Sequence, residues 1–195
     1  VVQKEAPIII LDPGHGGMDE GGSSNGTEEK DINLRLALSL KDKLVEYGFT
    51  VILTRETDSE VSLTDRAELA RKMQGDLLIS IHQNTCEYEE VSGIEIWYDK
   101  TSRKENERLA RLMQQYLVAN TGAMDRGIME TDTLYVIREC GMPACLVETG
   151  FLSNTDECRL LTEEKYCDKL VQGMADAVWY YFYPKKMYLT FDDGP

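Results

Sequence analysis

Ile8-Ile9-Ile10-Leu11-Asp12-Pro13-Gly14-His15-Gly16-Gly17 decides the reading of this 195-residue chain. Four consecutive apolar residues, three of them β-branched, describe a strand buried on both faces, and Asp-Pro-Gly stops it. His15 therefore stands just past a strand's carboxyl end. In open α/β sheets that edge is where ligands bind, because the crevice between connections opens there. The second of the two histidines, His82, ends another apolar run, Leu77-Leu78-Ile79-Ser80-Ile81. Both imidazoles can converge on one crevice.

The rest of the chain alternates such strands with helical patterns. Asp31 to Tyr47 reads as a helix with Leu34, Ala37, Leu38 and Val45 on one stripe and Gly48 ending it. Phe49 to Leu53 is a second strand. Ser62-Leu63-Thr64-Asp65 opens a helix that buries Leu69, Ala70 and Met73 before Gly75, and Asp76 to His82 is the third strand. Gly93 to Tyr98 suits a strand nearer an edge. A Ser102-to-Glu105 capping box starts a helix with Leu109, Leu112, Met113, Tyr116 and Leu117 facing inward. Leu134 to Ile137 and Ala144 to Glu148 read as further strands, and a last helix runs from about Glu163 to Tyr181. The expected fold class is α/β, a mostly parallel or mixed twisted sheet of about six strands flanked by helices on both faces.

Composition removes several function classes. A formal net charge of -14 argues against a nucleic-acid partner and against unaided attachment to an anionic membrane or wall. No apolar run approaches the roughly 18 residues of a membrane span, and Val1-Val2-Gln3-Lys4-Glu5 lacks a signal peptide's architecture. The five cysteines, Cys86, Cys140, Cys145, Cys158 and Cys167, form no C-x-x-C pair and read as small buried hydrophobes rather than a disulfide framework. The glycine-rich segment Gly16 to Gly26 is not a phosphate loop, since no Lys follows a glycine there. It can let backbone approach a ligand closely.

Three chemically able groups end apolar strands: His15, His82 and Glu148. Each alone could mark where a strand leaves the core. Together, two neutral imidazoles and one carboxylate leave a fourth zinc position open, the pattern of a hydrolytic site. The carboxylate ligand would come from the glycine-loop junction, from Glu28 or Glu29. Helix-dipole compensation is the alternative role for these acids.

Leu11 to Gly17, Glu29-Lys30-Asp31-Ile32-Asn33-Leu34, Ser80-Ile81-His82-Gln83-Asn84 and Met142 to Asn154 together resemble the zinc-dependent N-acetylmuramoyl-L-alanine amidases of the type 3 family. The resemblance runs from about Ile8 to Tyr183, with four blocks in family order. It implies one Zn2+ per chain held by His15, Glu29 and His82, with Glu148 as catalytic acid and base. The bond cut would be the amide between N-acetylmuramic acid and L-alanine in peptidoglycan. It also implies an extracytoplasmic, secreted or wall-associated monomer. Gln83 and Thr85 depart from the small residues usual around the second histidine. No segment is long enough for the inserted helix that plugs the site in some relatives.

Other roles stay open. The rivals are a zinc hydrolase cutting within the stem peptide and a wall-binding module with a dead site. Asn84 orients substrate or satisfies its turn, and Arg126 reaches an acidic stem peptide or is an exposed turn arginine. Cys86 reads as a bystander. Residues 1–184 are expected to form the amidase domain and 185–195 a linker with the start of a further domain. There Phe191-Asp192-Asp193-Gly194-Pro195 resembles the first motif of polysaccharide deacetylases. With both histidines assigned, Asp192 and Asp193 would be inert here.

Overall fold

The computed structural model describes residues 6–101 and 103–184. In chain order the first elements are β1 (Ile8–Pro13), a short hairpin of β2 (Ser23–Ser24) and β3 (Thr27–Glu28), α1 (Glu29–Glu46), β4 (Thr50–Leu53) and α2 (Leu63–Lys72). There follow β5 (Leu77–Asn84), β6 (Ile94–Asp99), α3 (Arg103–Thr121), β7 (Asp125–Thr131) and α4 (Tyr135–Glu139). The chain then forms β8 (Ala144–Phe151), α5 (Thr155–Thr162) and α6 (Glu164–Phe182). The main sheet has six strands in the order β4-β1-β5-β8-β6-β7. All its pairings are parallel except β6 with β8.

Helices cover both faces, as the alternation of patterns implies. Ile9 and Leu11 of β1 join a large core with residues of α1, α3, α5 and α6, while Ile10 joins a smaller one with Ala70 of α2 and Val136 and Ile137 of α4. The continuous apolar run of β1 is thus the signature of a strand with a core on either side. α3 and α6 follow their expected stripes, with Leu109, Met113, Leu117, Leu170, Met174 and Val178 fully buried. No helix among the described residues is long and apolar enough to cross a membrane. All five cysteines are free, and four are buried.

Several expectations change. Leu134 to Ile137 is not a strand: it runs into the short helix α4, and the sheet's outer strand is Asp125–Thr131 instead. Val136 and Ile137 both face the same small core, which adjacent residues of a helix can do and adjacent residues of a strand cannot. The edge strand β7 is half exposed along most of its length, so its sequence shows no alternation to read. In α1 the buried face is Ile32, Leu36, Ala37, Leu40 and Leu44, while Leu38 and Val45 are exposed. In α2 it is Arg66, Ala67 and Ala70, leaving Met73 exposed and Leu69 half-buried. Helix α5, capped by Asn154 accepting from Glu157 N, was not anticipated. Ser102 of the expected capping box and the tail 185–195 lie outside the described residues.

A buried ion pair ties α2 to β1. Asp12 is 1% exposed and accepts from Thr54 Oγ1 at 2.7 Å, Ser80 Oγ at 2.8 Å and Arg66 Nη1 at 2.9 Å. Arg66 also donates to the carbonyls of Val61, Pro13 and His15. Removing one member of such a pair leaves an uncompensated buried charge, which costs about 3–5 kcal/mol. Arg66→Met is expected to lower the unfolding free energy by about that amount in a denaturant titration. A loss under about 1 kcal/mol would show that the pair contributes little.

Candidate metal centre

The chain reverses sharply after β1. His15 takes a left-handed backbone, φ +59°, a conformation that costs a non-glycine residue about 1–2 kcal/mol. Its carbonyl is held by Arg66 at 2.7 Å, while Arg55 donates to the carbonyls of Pro13 at 3.0 Å and Gly14 at 2.8 Å. Beyond it, Gly16 and Asp19 exchange backbone hydrogen bonds, and Gly17 N donates to Asp58 at 2.7 Å. The glycine segment then folds back onto α1. Gly22 N donates to Glu29 Oε2 at 2.7 Å, and Glu29 N donates to Gly22 O at 2.8 Å.

That closure brings three expected residues together. Glu29 opens α1 with its side chain buried; Oε1 lies 2.9 Å from His82 Nδ1 and Oε2 lies 3.2 Å from His15 Nε2. The imidazoles meet edge to face, their centroids 5.0 Å apart. One donor atom from each of His15, Glu29 and His82 lies within 4.8 Å of the others, a set that can hold a metal ion. Glu28, left open on the bare sequence, pairs with Lys30 at 3.2 Å and is no part of the set. Nor is Cys86, whose backbone N donates to Ser153 Oγ.

Electrostatics follow from this packing. Burial pushes the Glu29 carboxyl upward, but hydrogen bonds from both imidazoles outweigh it and hold the group well below the usual carboxylate range. The hydrogen bond to Glu29 raises His15 to about 9 against the opposing effect of burial. Glu148 behaves oppositely. In the sheet it stands beside His82 of β5 on one side and Glu95 of β6 on the other, and burial pushes its pKa up to about 7. Its Oε2 is buried with no hydrogen-bond partner, so the atom is available to a water or a substrate proton. An orphaned carboxylate oxygen beside an imidazole–carboxylate–imidazole donor set fits a hydrolytic zinc ion.

Asn84 and Arg126 come together on Glu95 rather than on the donor set. Asn84 Nδ2 donates to Glu95 Oε1 at 2.9 Å and Arg126 Nε to Glu95 Oε2 at 2.8 Å, with Trp97 Nε1 as a third donor at 3.1 Å. Arg126 belongs to β7 and lies over the Phe151 ring, so it is not an exposed turn residue. Glu95, 4% exposed, escaped the sequence reading. The signal available was a charge between two isoleucines in Ile94-Glu95-Ile96. A crevice of about 340 Å3 opens beside His15 and His82, with Leu63, Leu134, Val136 and Leu146 among its apolar walls.

Residues 9–180 match the family model described as N-acetylmuramoyl-L-alanine amidase. The chain is 39% identical over 175 residues to the N-acetylmuramoyl-L-alanine amidase LytC of Bacillus subtilis, a match that covers 89% of this chain but 35% of LytC. It is 34% identical to the germination-specific N-acetylmuramoyl-L-alanine amidase of the same organism, covering 91% of this chain and 81% of that protein. Among solved structures, the N-acetylmuramoyl-L-alanine amidase from Clostridium difficile 630 superposes with a TM-score of 0.89 at 37% identity, covering 94% of this chain and 100% of that one. The catalytic domain of CwlV from Bacillus (Paenibacillus) polymyxa gives 0.86 at 34%, covering 92% and 99%.

Gly14 supplies a test of the geometry. A Cβ there would stand 2.1 Å from His82 Cε1 and 2.3 Å from Nε2, so any side chain must displace the ring. Its backbone φ is not in the left-handed region, so the substitution itself is not strained. Gly14→Ala is expected to keep its circular-dichroism spectrum yet lose most bound metal in elemental analysis. Full metal loading of that variant would refute the placement of His82.

Proposed function

The chain belongs to the N-acetylmuramoyl-L-alanine amidase family of enzymes, and from that premise we propose that it uses one Zn2+ held by His15, Glu29 and His82. Glu148 is its general base and acid, and its substrate is peptidoglycan. The observation that carries the reading is the meeting of these four side chains at one sheet edge, with Glu148 Oε2 left unpartnered. Zinc in this position supplies Lewis-acid polarisation of an amide carbonyl and acidity to a water.

The protein's own groups account for the remaining steps. Glu148, raised to about 7 by burial, takes a proton from the attacking water. It returns that proton to the nitrogen of L-alanine as the bond to the lactyl carbonyl breaks, freeing glycan from stem peptide. Gln83 N and Gly22 N hold the Glu29 carboxylate from behind, so the ligand cannot swing away during the reaction. Asn84 and Arg126 border the site through Glu95. We assign them to the substrate side, where Arg126 keeps 32% of its side chain exposed. The site of action is extracytoplasmic, the protein works as a monomer, and with a net charge of -14 its wall attachment depends on another module.

Glu148→Gln is expected to retain zinc while kcat/KM falls about 10²–10⁴-fold, or roughly 3–5 kcal/mol. Mass analysis of a peptidoglycan digest is expected to show peptides beginning at L-alanine and glycan with free lactyl carboxylates. Fragments cut inside the stem peptide would refute the bond assignment. Because the base must be ionised, kcat/KM is expected to fall as pH drops through the pKa of Glu148. That limb lies at or below about 7, since a cation beside the group favours its charged form. An acid limb that persists unchanged in the residual activity of Glu148→Gln would assign it to another group and remove Glu148 from the role.

A further inference from the structure

We propose that Asp19 is a positioning residue for the metal centre, fixing the His15 ring so that Nε2 is the atom presented to the cation. The proposal rests on the zinc reading above. Asp19 Oδ2 lies 2.9 Å from His15 Nδ1, on the side of the ring away from Nε2, which faces Glu29 Oε2 at 3.2 Å. Both ring nitrogens of His15 face a carboxylate, Glu29 at Nε2 and Asp19 at Nδ1. A neutral imidazole carries one N–H, and with Glu29 and Nε2 engaged by a cation Asp19 is the acceptor left for that proton, which holds it on Nδ1 and leaves the Nε2 lone pair to the metal. Such carboxylate–histidine pairs both orient the ligand and raise its basicity.

Asp19 is held for this task from both ends. Its backbone N and O exchange hydrogen bonds with Gly16, at 3.2 and 2.8 Å, closing a tight hairpin directly after His15. Its other carboxylate oxygen accepts from Gly21 N at 3.2 Å. Gly21 in turn sits at φ +68°, where a Cβ would come within 2.5 Å of Glu29 Oε2 and 2.6 Å of His15 Cδ2. Only a glycine lets the loop lie flush on both ligands and carry Asp19 behind the ring. The Asp19 side chain is 59% exposed, so its place is set by these bonds rather than by burial.

The two histidines are fixed by different means. His82 turns Nδ1 toward Glu29, and its ring rests against Gly14, so packing on a rigid strand orients it. His15 stands in a loop with 25% of its side chain exposed, and a hydrogen bond does the same work. The ligands therefore offer opposite ring nitrogens, Nε2 from His15 and Nδ1 from His82.

Zinc affinity by chelator competition would be measured for wild type, Asp19→Ala and Asp19→Asn, alongside thermal midpoints of the chelator-stripped proteins. Asp19→Ala is expected to bind zinc about 10–100-fold more weakly, and Asp19→Asn, which keeps an acceptor oxygen, to recover part of the loss. The stripped midpoints are expected to agree within a few degrees. Histidine 15N shifts of the zinc-loaded wild type are expected to place a proton on Nδ1 of His15 and on Nε2 of His82. Zinc affinity of Asp19→Ala within twofold of wild type overturns the assignment, as does coordination of His15 through Nδ1. So does an Asn variant as weak as Ala, or a large fall in the stripped midpoint, which would make the role structural. A wild type that takes up no zinc overturns the zinc reading itself.

Discussion

Three successive carbonyl oxygens, those of Pro13, Gly14 and His15, are taken up by the guanidinium groups of Arg55 and Arg66. Both arginines are buried, and Arg66 is neutralised by Asp12 beneath it. Each hydrogen bond from a charged donor is worth about 1.5–3 kcal/mol, so the clamp exceeds the strain of a left-handed His15. Strand β1 can then end in a backbone reversal that turns an imidazole back over the sheet. The same two arginines reach α1 and the segment before α2, through Lys30 O and Val61 O, so loop, helix and sheet move as one piece.

Strand parity does the remaining placement. Asp12, Ser80 and Leu146 form one row across β1, β5 and β8, and two residues further on His82 and Glu148 form the next. Side chains of a row share a face, so a slip of one residue between β5 and β8 would turn Glu148 into the large apolar core. The apolar pairs below it, Leu78 with Ala144 and Ile79 with Cys145, make that slip costly. The register of the His82–Glu148 row is thus set by apolar residues of the core beneath it.

The same logic separates what could be read in the sequence from what could not. Runs buried on both faces announce themselves, and each ended in a group that the fold places at the site: His15, His82 and Glu148. Edge strand β7 pairs on one side only and keeps polar residues, so its pattern was silent, while the β-branched Val136 and Ile137 suggested a strand where one-sided burial favours a helix turn. The stripe of α1 was misplaced because its first two turns spend two inward positions on polar residues. Glu29 reaches the metal donors there, and Asn33 donates to Gly14 O at 3.1 Å. Nothing local distinguishes Glu29 from Glu28; only the family resemblance did, and the tertiary partners show why. Glu95 stayed hidden since its partners, Asn84 and Arg126, come from other strands.

Charge balance links these parts. Three carboxylates, Glu29, Glu148 and Glu95, gather at one sheet edge in a chain already at -14, and each would repel the others. Two imidazoles answer Glu29, and Arg126 with two neutral donors answers Glu95. Glu148 lies between them: burial raises its proton affinity most, the adjacent His82 works the other way, and Glu29 and Glu95 each add to the rise. The neighbours that look structural therefore act on this carboxyl: a neutralised Glu95 would leave Glu148 more acidic. Asn84, Trp97 and Arg126 hold that flanking charge in place, so strand β6 can carry a buried acid directly beside Glu148 without leaving it unpartnered.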